Sequence, residues 1–395
     1  MTIALVSRMV HREGGIQSVV WELAKRFAVQ GHHVYLFTNS CSELPHPSVV
    51  VHKVPMLLGR SFRKAQSPWI KACQIWSFAW ISRFIVHRRN FDIVHVHGDS
   101  LARADVRTAH SCHKAWIKFD LSRNSSLRNK FRKRFNPLHA ILLLIEYYDY
   151  AMSGARQVIS VSMSVKRQLM DNYAIDSAKV SVVPAGVECA RFAAPIGFDV
   201  ARFREQIGVA NGSSVLVFVG WEFGRKGLST ILDAMSRVTS DSLILLVVGG
   251  GQERSFARQA EDLGIGDRVH FVGAQSDIPP FLWASDIFVF PTRYEPFGIV
   301  IAEAMAAGLP VITSRCAGAA EWIQDGTEGL LLNDPFDARE LAQALDGVLS
   351  NPEMMVAMGK AAQRKARQFD WDRVAELTME MYSAVLDDKI HGNHQ

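Results

Sequence analysis

The 395-residue sequence lacks several things that would direct its reading elsewhere. It has five cysteines, Cys41, Cys73, Cys112, Cys189 and Cys316, scattered and without a CxxC pair. That excludes a disulfide framework and a thiolate zinc site, and makes the cytoplasm the expected compartment. Its longest strongly apolar stretches, such as Ala140–Ile145, fall far short of the roughly 20 residues of a membrane span. Ile3–Val6 is too short for the apolar core of a secretory leader, so none is expected. A GxGxxG fingerprint is absent after the first strand-like run, so a dinucleotide-binding unit is not expected there. No recognised nucleic-acid module accompanies the basic residues, so nucleic acid is not an expected partner.

What remains is an ordinary globular composition, 48% hydrophobic and 21% charged, in a chain long enough for two cores. The net charge of +5 hides a split. Residues 1–190 carry 26 Lys+Arg against 12 Asp+Glu, while the remainder carries 18 against 27. Such asymmetry means that the two halves meet different partners.

Apolar runs alternate with amphipathic stretches along the whole chain, the pattern of α/β units with parallel sheets. In the first half the strand-like runs are Ile3–Val6, His33–Phe37, Val49–Val54, Phe91–His97, Asp105–Ala109, Gln157–Val161 and Val180–Val183. Between them, Ile16–Val29, Ser67–His87, Pro137–Met152 and Val165–Tyr173 read as helices, the last capped by Ser162 or Ser164. Periodicity stops at Pro184-Ala185-Gly186-Val187, which places a hinge near residue 190. The alternation then restarts with strands at Ser214–Val219, Ser242–Val248, His270–Val272, Asp286–Phe290, Leu309–Thr313 and Gly329–Leu332, and helices at Leu228–Val238 and Ser276–Ala284. The expected organisation is a first domain over 1–190, a second over 191–368, and a C-terminal helix, 369–395, packing back toward the first.

The stretch with most chemistry is Tyr294–Gly308, YEPFGIVIAEAMAAG. It follows a buried strand and opens a helix, with Pro296 expected in the first helical turn and Gly298 allowing close approach of a ligand. Free amides and the positive end of the dipole make such a turn an anion site. Glu295 and Glu303 frame it with acids suited to hydroxyls, a combination that fits a phosphorylated sugar. Arg225 and Lys226, in the glycine-bounded loop Gly220–Gly227, stand just before another helix and suit a diphosphate. Gly249-Gly250-Gly251 projects no side chains and is expected to leave room for a flat group such as a base.

Two features of the first half stay open between readings. Ser67–His87 interleaves Trp69, Trp76, Phe78, Trp80 and Phe84 with Lys71 and Arg83; it fits a helix lying in an anionic membrane interface, and it also fits a core helix with a solvated face. The basic run Arg123–Phe135 favours a membrane or an anionic acceptor. His110, at the end of a strand, is placed to touch a ligand. His95, His97 and His113 lie nearby in sequence, where a metal site competes with buried, hydrogen-bonded histidines.

Gly14-Gly15, the TAH ending at His110, FGRKG at Phe223–Gly227, VVGGG at Val247–Gly251 and EPFGIVIAEAMAAGLPVI together resemble the family 4 retaining glycosyltransferases of the GT-B fold, in particular lipopolysaccharide core glucosyltransferases that use UDP-glucose. The resemblance covers nearly the whole chain. It implies two doubly wound Rossmann-like domains facing each other across a cleft. It implies that Glu303 accepts hydrogen bonds from the ribose hydroxyls and Glu295 holds donor-sugar hydroxyls. Arg225 and Lys226 would neutralise the diphosphate, aided by the amides of Phe297, Gly298, Ile299 and, from the other domain, Gly15. His110 would touch the sugar near the reacting carbon, and Gly249 and Gly250 would border the nucleotide. Trp221 departs from the pattern, since many relatives carry a basic residue there, so one phosphate contact is either missing or supplied by Arg225. Retention without a carboxylate placed as nucleophile points to front-face return, with the leaving phosphate taking the acceptor's proton and no metal or other cofactor required. The expected reaction moves a hexose, glucose foremost, from a UDP-sugar to a glycan or glycolipid hydroxyl at the inner face of an anionic membrane. A nucleotide-sugar epimerase on the same scaffold, or a membrane-bound scaffold with a vestigial donor site, are the rival readings.

Overall fold

The computed structural model describes residues 1–12, 14–57, 67–123, 133, 135–152, 154–210 and 212–392. The chain divides into two compact units, Met1–Ala185 with Trp371–Gln395, and Gly186–Asp370.

The first unit is built on a seven-stranded parallel sheet of β1 (Thr2–Val6), β2 (His33–Thr38), β3 (Val50–Lys53), β4 (Ile93–His97), β5 (Val106–Ala109), β6 (Gln157–Ser160) and β7 (Val180–Val182), in the order β3-β2-β1-β4-β5-β6-β7. Its helices are α1 (Gly15–Val29), α2 (Pro68–Val86), α3 (His113–Arg123), α4 (Pro137–Tyr147) and α5 (Met163–Tyr173). The reversal of strand order between β1 and β4 makes this a doubly wound sheet, whose strand ends at that point are where such folds seat ligands. The strands read as continuous apolar runs because both faces are covered; Ile3, Leu5, Ile93 and Val106 are fully buried. Part of that cover comes from the far end of the sequence, where Trp371, Val374, Tyr382 and Val385 join the same core.

The second unit repeats the plan. Strands β8 (Ser214–Trp221), β9 (Leu243–Gly250), β10 (Val269–Gly273), β11 (Ile287–Phe290), β12 (Val311–Ser314) and β13 (Gly329–Leu332) form a parallel sheet in the order β10-β9-β8-β11-β12-β13. Around it lie α6 (Cys189–Phe192), α7 (Val200–Gln206), α8 (Leu228–Met235), α9 (Glu253–Asp262), α10 (Pro279–Trp283), α11 (Ile299–Ala306), α12 (Ala338–Leu349) and α13 (Pro352–Ala366); α14 (Trp371–Gly392) belongs to the first unit.

Several expected boundaries shift for local reasons. The α4 helix gives way at Tyr148–Met152 to a π-helical turn, where Asp149 pairs with the buried Arg107 at 2.6 Å. Ser162 is the cap of α5, its hydroxyl accepting from the Val165 amide at 3.2 Å. α10 occupies only the middle of the expected Ser276–Ala284 helix, starting at its proline pair.

Candidate donor site and its neighbours

Pro296 lies outside α11, contrary to the expectation that it opens the helix. The segment from Glu295 to Phe297 runs instead beside residues 316–319: Glu295 N donates to Cys316 O at 3.3 Å, Gly318 N to Glu295 O at 2.9 Å, and Ala319 N to Phe297 O at 2.8 Å. The helix starts only after Gly298, which takes a left-handed conformation with φ 96° as its N-cap. A Cβ at Gly298 would also press on Glu295 Cγ at 3.2 Å. The outward-facing amides of the first turn therefore begin at Ile299, with Glu295 fixed ahead of them.

The loop after β8 delivers the cations to the same place. Glu222 adopts a left-handed φ of 58°, an uncommon conformation that costs about 1 kcal/mol. It turns the chain so that the Arg225 and Lys226 amides both donate to Glu222 O. Gly227 follows at φ 87°, and a Cβ there would lie 2.1 Å from Pro291 O, so only glycine brings this loop against the end of β11. Arg225 Nη1 then donates to Tyr294 O and to Glu295 Oε2, the latter at 3.2 Å, while its Nε donates to Glu222 Oε2 at 2.9 Å. Lys226 runs past Gly220, where a Cβ would meet its Nζ at 2.8 Å, and ends 3.8 Å from Glu295 Oε2 and 5.1 Å above the Phe290 ring.

Burial opposes the charge on Arg225, but Glu295 and Glu222 outweigh it and raise the guanidinium's pKa. For Lys226 burial prevails over Glu295 and the pKa is lowered. Glu303, one turn into α11, is pushed up to about 7 by burial, with Arg191 and Lys226 pulling the other way. Arg191 stands on the short helix α6, a position that no motif in the sequence marks.

The glycine run at the end of β9 is not open space. Gly249 and Gly250 pair in register with Gly220 and Trp221. A Cβ on Gly249 would lie 2.0 Å from Gly220 O, one on Gly250 2.1 Å from the Trp221 ring, and one on Gly251 2.6 Å from the Phe223 ring. The space directly beside Gly250 and Gly251 is thus taken by the chain's own indole and phenyl rings. Trp221 keeps its other side in solvent, being 64% exposed. A cavity of about 560 Å³ lies just beyond, lined by Gly251–Ser255 at the start of α9.

So Arg225, Lys226, Glu295, Glu303, Gly249, Gly250, Phe297, Gly298 and Ile299 share one end of the second sheet. Gly15 and His110 lie in the first unit. Gly15 is the first residue of α1, after Gly14 at φ 107°, and a Cβ on it would meet nothing within 4 Å. His110 follows β5, and its Nε2 is 3.2 Å from His97 Nδ1. His95, between Tyr382 and Thr108, is fully buried. His113 Nε2 instead meets His139 Nδ1 at 3.2 Å. Among the described residues no group of three or more His, Cys, Asp or Glu side chains could hold a metal ion.

On α2, Trp69, Trp76, Trp80 and Phe84 are exposed, with Trp80 and Phe84 stacked at 5.9 Å and Arg83 over the Trp80 ring. The opposite face, with Ala72, Ile75, Phe78 and Ala79, is buried, so the helix is at once a core element and a carrier of surface aromatics. Of the basic run, Arg128, Lys130, Arg132 and Arg134 lie outside the described residues. No helix among the described residues is long and apolar enough to cross a membrane.

Residues 13–191 match the family described as Glycosyltransferase Family 4, and residues 199–365 match Glycosyl transferases group 1. The chain is 28% identical to the D-inositol 3-phosphate glycosyltransferase of Pseudarthrobacter chlorophenolicus, over 95% of this chain and 91% of that one. It is 24% identical to the lipopolysaccharide glucosyltransferase WaaG of Escherichia coli K12, over 95% and 96%. In three dimensions it resembles crystalline WaaG, with a TM-score of 0.76 at 22% identity over 96% of this chain and 99% of that one. Anabaena Alr3699/HepE, solved in complex with UDP, matches with a TM-score of 0.71 at 20% identity over 97% and 100%.

Proposed function

From a chain that belongs to the glycosyltransferases, with a family 4 domain followed by a group 1 domain on a GT-B architecture, we propose a retaining transferase that moves a hexose from a UDP-sugar to a hydroxyl of a cell-surface glycan or glycolipid. The observation that carries this reading is the cluster of Arg225, Lys226 and Glu295 at the start of α11. Two cations and a helix N-terminus suit a diphosphate, and the carboxylates beside them suit hydroxyls. Glu303 accepts from the ribose and Glu295 from the sugar. Breaking the bond to UDP leaves negative charge on the terminal phosphate, which Arg225, Lys226 and the amides from Ile299 onward offset from fixed positions. The departing phosphate then takes the acceptor's proton on the same face, so configuration is kept without a protein base and without a metal.

Glucose is the hexose favoured, by similarity to WaaG, and the same similarity favours a lipopolysaccharide-type acceptor. The exposed aromatics of α2 with Arg83 support attachment to the anionic inner face of a cytoplasmic membrane, where indoles occupy the headgroup zone.

Incubation with radiolabelled UDP-glucose and a panel of truncated lipopolysaccharide and glycolipid acceptors tests the reaction. The expected product carries an α-linked glucose, read by NMR of the anomeric proton. A β-linkage would refute retention, and epimerised UDP-sugar formed without acceptor would favour an epimerase. Co-sedimentation with anionic vesicles tests the membrane; no binding at low salt would remove it.

A further inference from the structure

His97 ends β4 with its ring almost wholly buried, at 2% exposure. One face lies against His95, the ring centroids 4.0 Å apart and the planes tilted by 37°, and its Nδ1 lies 3.2 Å from His110 Nε2. His95 has a partner on each nitrogen, Tyr382 Oη at 2.6 Å and Thr108 Oγ1 at 2.7 Å. His97 Nε2 is buried with no hydrogen-bond partner among the described residues. Burial keeps the group neutral, holding His110 at about 4 and His97 well below the usual imidazole range.

Between two neutral imidazoles, one N–H must lie on the shared line. If His110 Nε2 donated, His97 would carry its own proton on Nε2, buried with nothing to accept it. If His97 Nδ1 donates, the orphan at Nε2 is only a lone pair. A buried N–H left unpaired is the rarer and costlier of the two. We infer that His97 donates from Nδ1 and thereby holds His110 as its Nδ1–H tautomer, a hydrogen-bond donor whose single lone pair is already engaged.

This rests on the reading of His110 as a sugar contact and sharpens it. Held so, His110 can offer a ligand oxygen only its N–H and cannot serve as a proton acceptor. His97 is the positioning residue; it fixes which atom His110 offers. The mechanism proposed above, which uses no protein base, is consistent with an imidazole so held.

Long-range ¹H–¹⁵N spectra of the full chain labelled in histidine read the tautomers, with His110 assigned by its loss in His110→Asn. The expected pattern is a pyrrole-type Nδ1 and a pyridine-type Nε2 for His110. A pyrrole-type Nε2 on His110 overturns the inference. His97→Asn, whose amide nitrogen can occupy the Nδ1 position, should keep that pattern, whereas His97→Leu should lose it. In hydrolysis of UDP-glucose, with water as acceptor, His97→Leu should lower kcat about tenfold and leave UDP affinity by calorimetry unchanged. His97→Asn should stay within about threefold of wild type. Loss of kcat, UDP affinity and melting temperature in step in both variants would make His97 merely structural and overturn its positioning role. A wild-type chain that neither binds UDP nor consumes UDP-glucose refutes the donor reading; the tautomer itself is still decided by the spectrum.

Discussion

Glu295 Oε2 lies 3.2 Å from Arg225 Nη1 and 3.8 Å from Lys226 Nζ, so one carboxylate restrains both cations of the candidate phosphate site. It is 15% exposed, and the pairing is correspondingly stronger than at the open surface. A bound diphosphate would compete with Glu295 for the same two side chains and release its oxygens toward the sugar.

Lys226→Ala removes a largely buried cation without disturbing the loop that Gly227 and Glu222 shape. Loss of a charge-assisted contact costs about 1.5–3 kcal/mol, or roughly 10- to 100-fold in UDP affinity. Calorimetry with UDP checks this, and an unchanged Kd would remove Lys226 from the diphosphate site.

Glu295→Ala should act in the opposite sense on the nucleotide. With the restraining carboxylate gone, Arg225 and Lys226 turn fully to phosphate, so UDP affinity holds or rises while kcat falls by about tenfold or more. Equal losses in kcat and UDP affinity would contradict a sugar-holding role.

Glu303 titrates near 7, pushed there by burial, and only as a carboxylate would it accept from both of the ribose hydroxyls proposed for it. UDP affinity should therefore weaken as pH falls through that value and level off above it. Glu303→Gln cannot titrate and should lose this part of the dependence, whatever the phosphate contributes. Parallel pH profiles in the two proteins would sink the assignment.

The adjacent glycines of β9 should behave differently. Gly249→Ala sets a Cβ 2.0 Å from a backbone oxygen that cannot move, at a φ of 131°, and should cost about 2 kcal/mol or more in urea denaturation. Gly250→Ala meets the ring of the exposed Trp221 instead. The indole can swing away, so the expected result is altered tryptophan fluorescence with little change in midpoint.

Acid should weaken the first unit. His95, His97, His110 and His113 are held neutral by burial, His110 and His113 to about 4 and His95 to about 3. Below an unfolded value near 6.5 the unfolded chain gains protons that the folded rings refuse. Stability is thus complete above that pH and declines progressively toward 4. A urea midpoint followed by tryptophan fluorescence should be lower at pH 5 than at pH 7.5; a constant or rising midpoint would contradict the neutral cluster.

Strands flanked by glycine loops made the two parallel sheets legible, because buried strands are unbroken apolar runs and turns need particular residues. That Arg225 and Lys226 would meet Glu295 ahead of α11 could be read from the chemistry of helix starts. Three features escaped for physical reasons. Pro296 fits a first helical turn by propensity, but tertiary pairing with residues 316–319 holds it in a loop. The glycines after β9 signal close approach without saying of what, and the answer, Trp221 and Phe223, lies one strand away. Arg191 reaches the electrostatic field of Glu303 from a four-residue helix with no periodicity to betray it.

Because the chain leaves the first unit at Ala185 and rejoins it only at Trp371, the two units cannot mature in the order in which they begin. The second is contiguous and has all of its residues once Asp370 has left the ribosome. The first must wait, with the buried face of β1 and β4 uncovered and His95 lacking Tyr382, until the last helix arrives. The unit that starts first therefore finishes last.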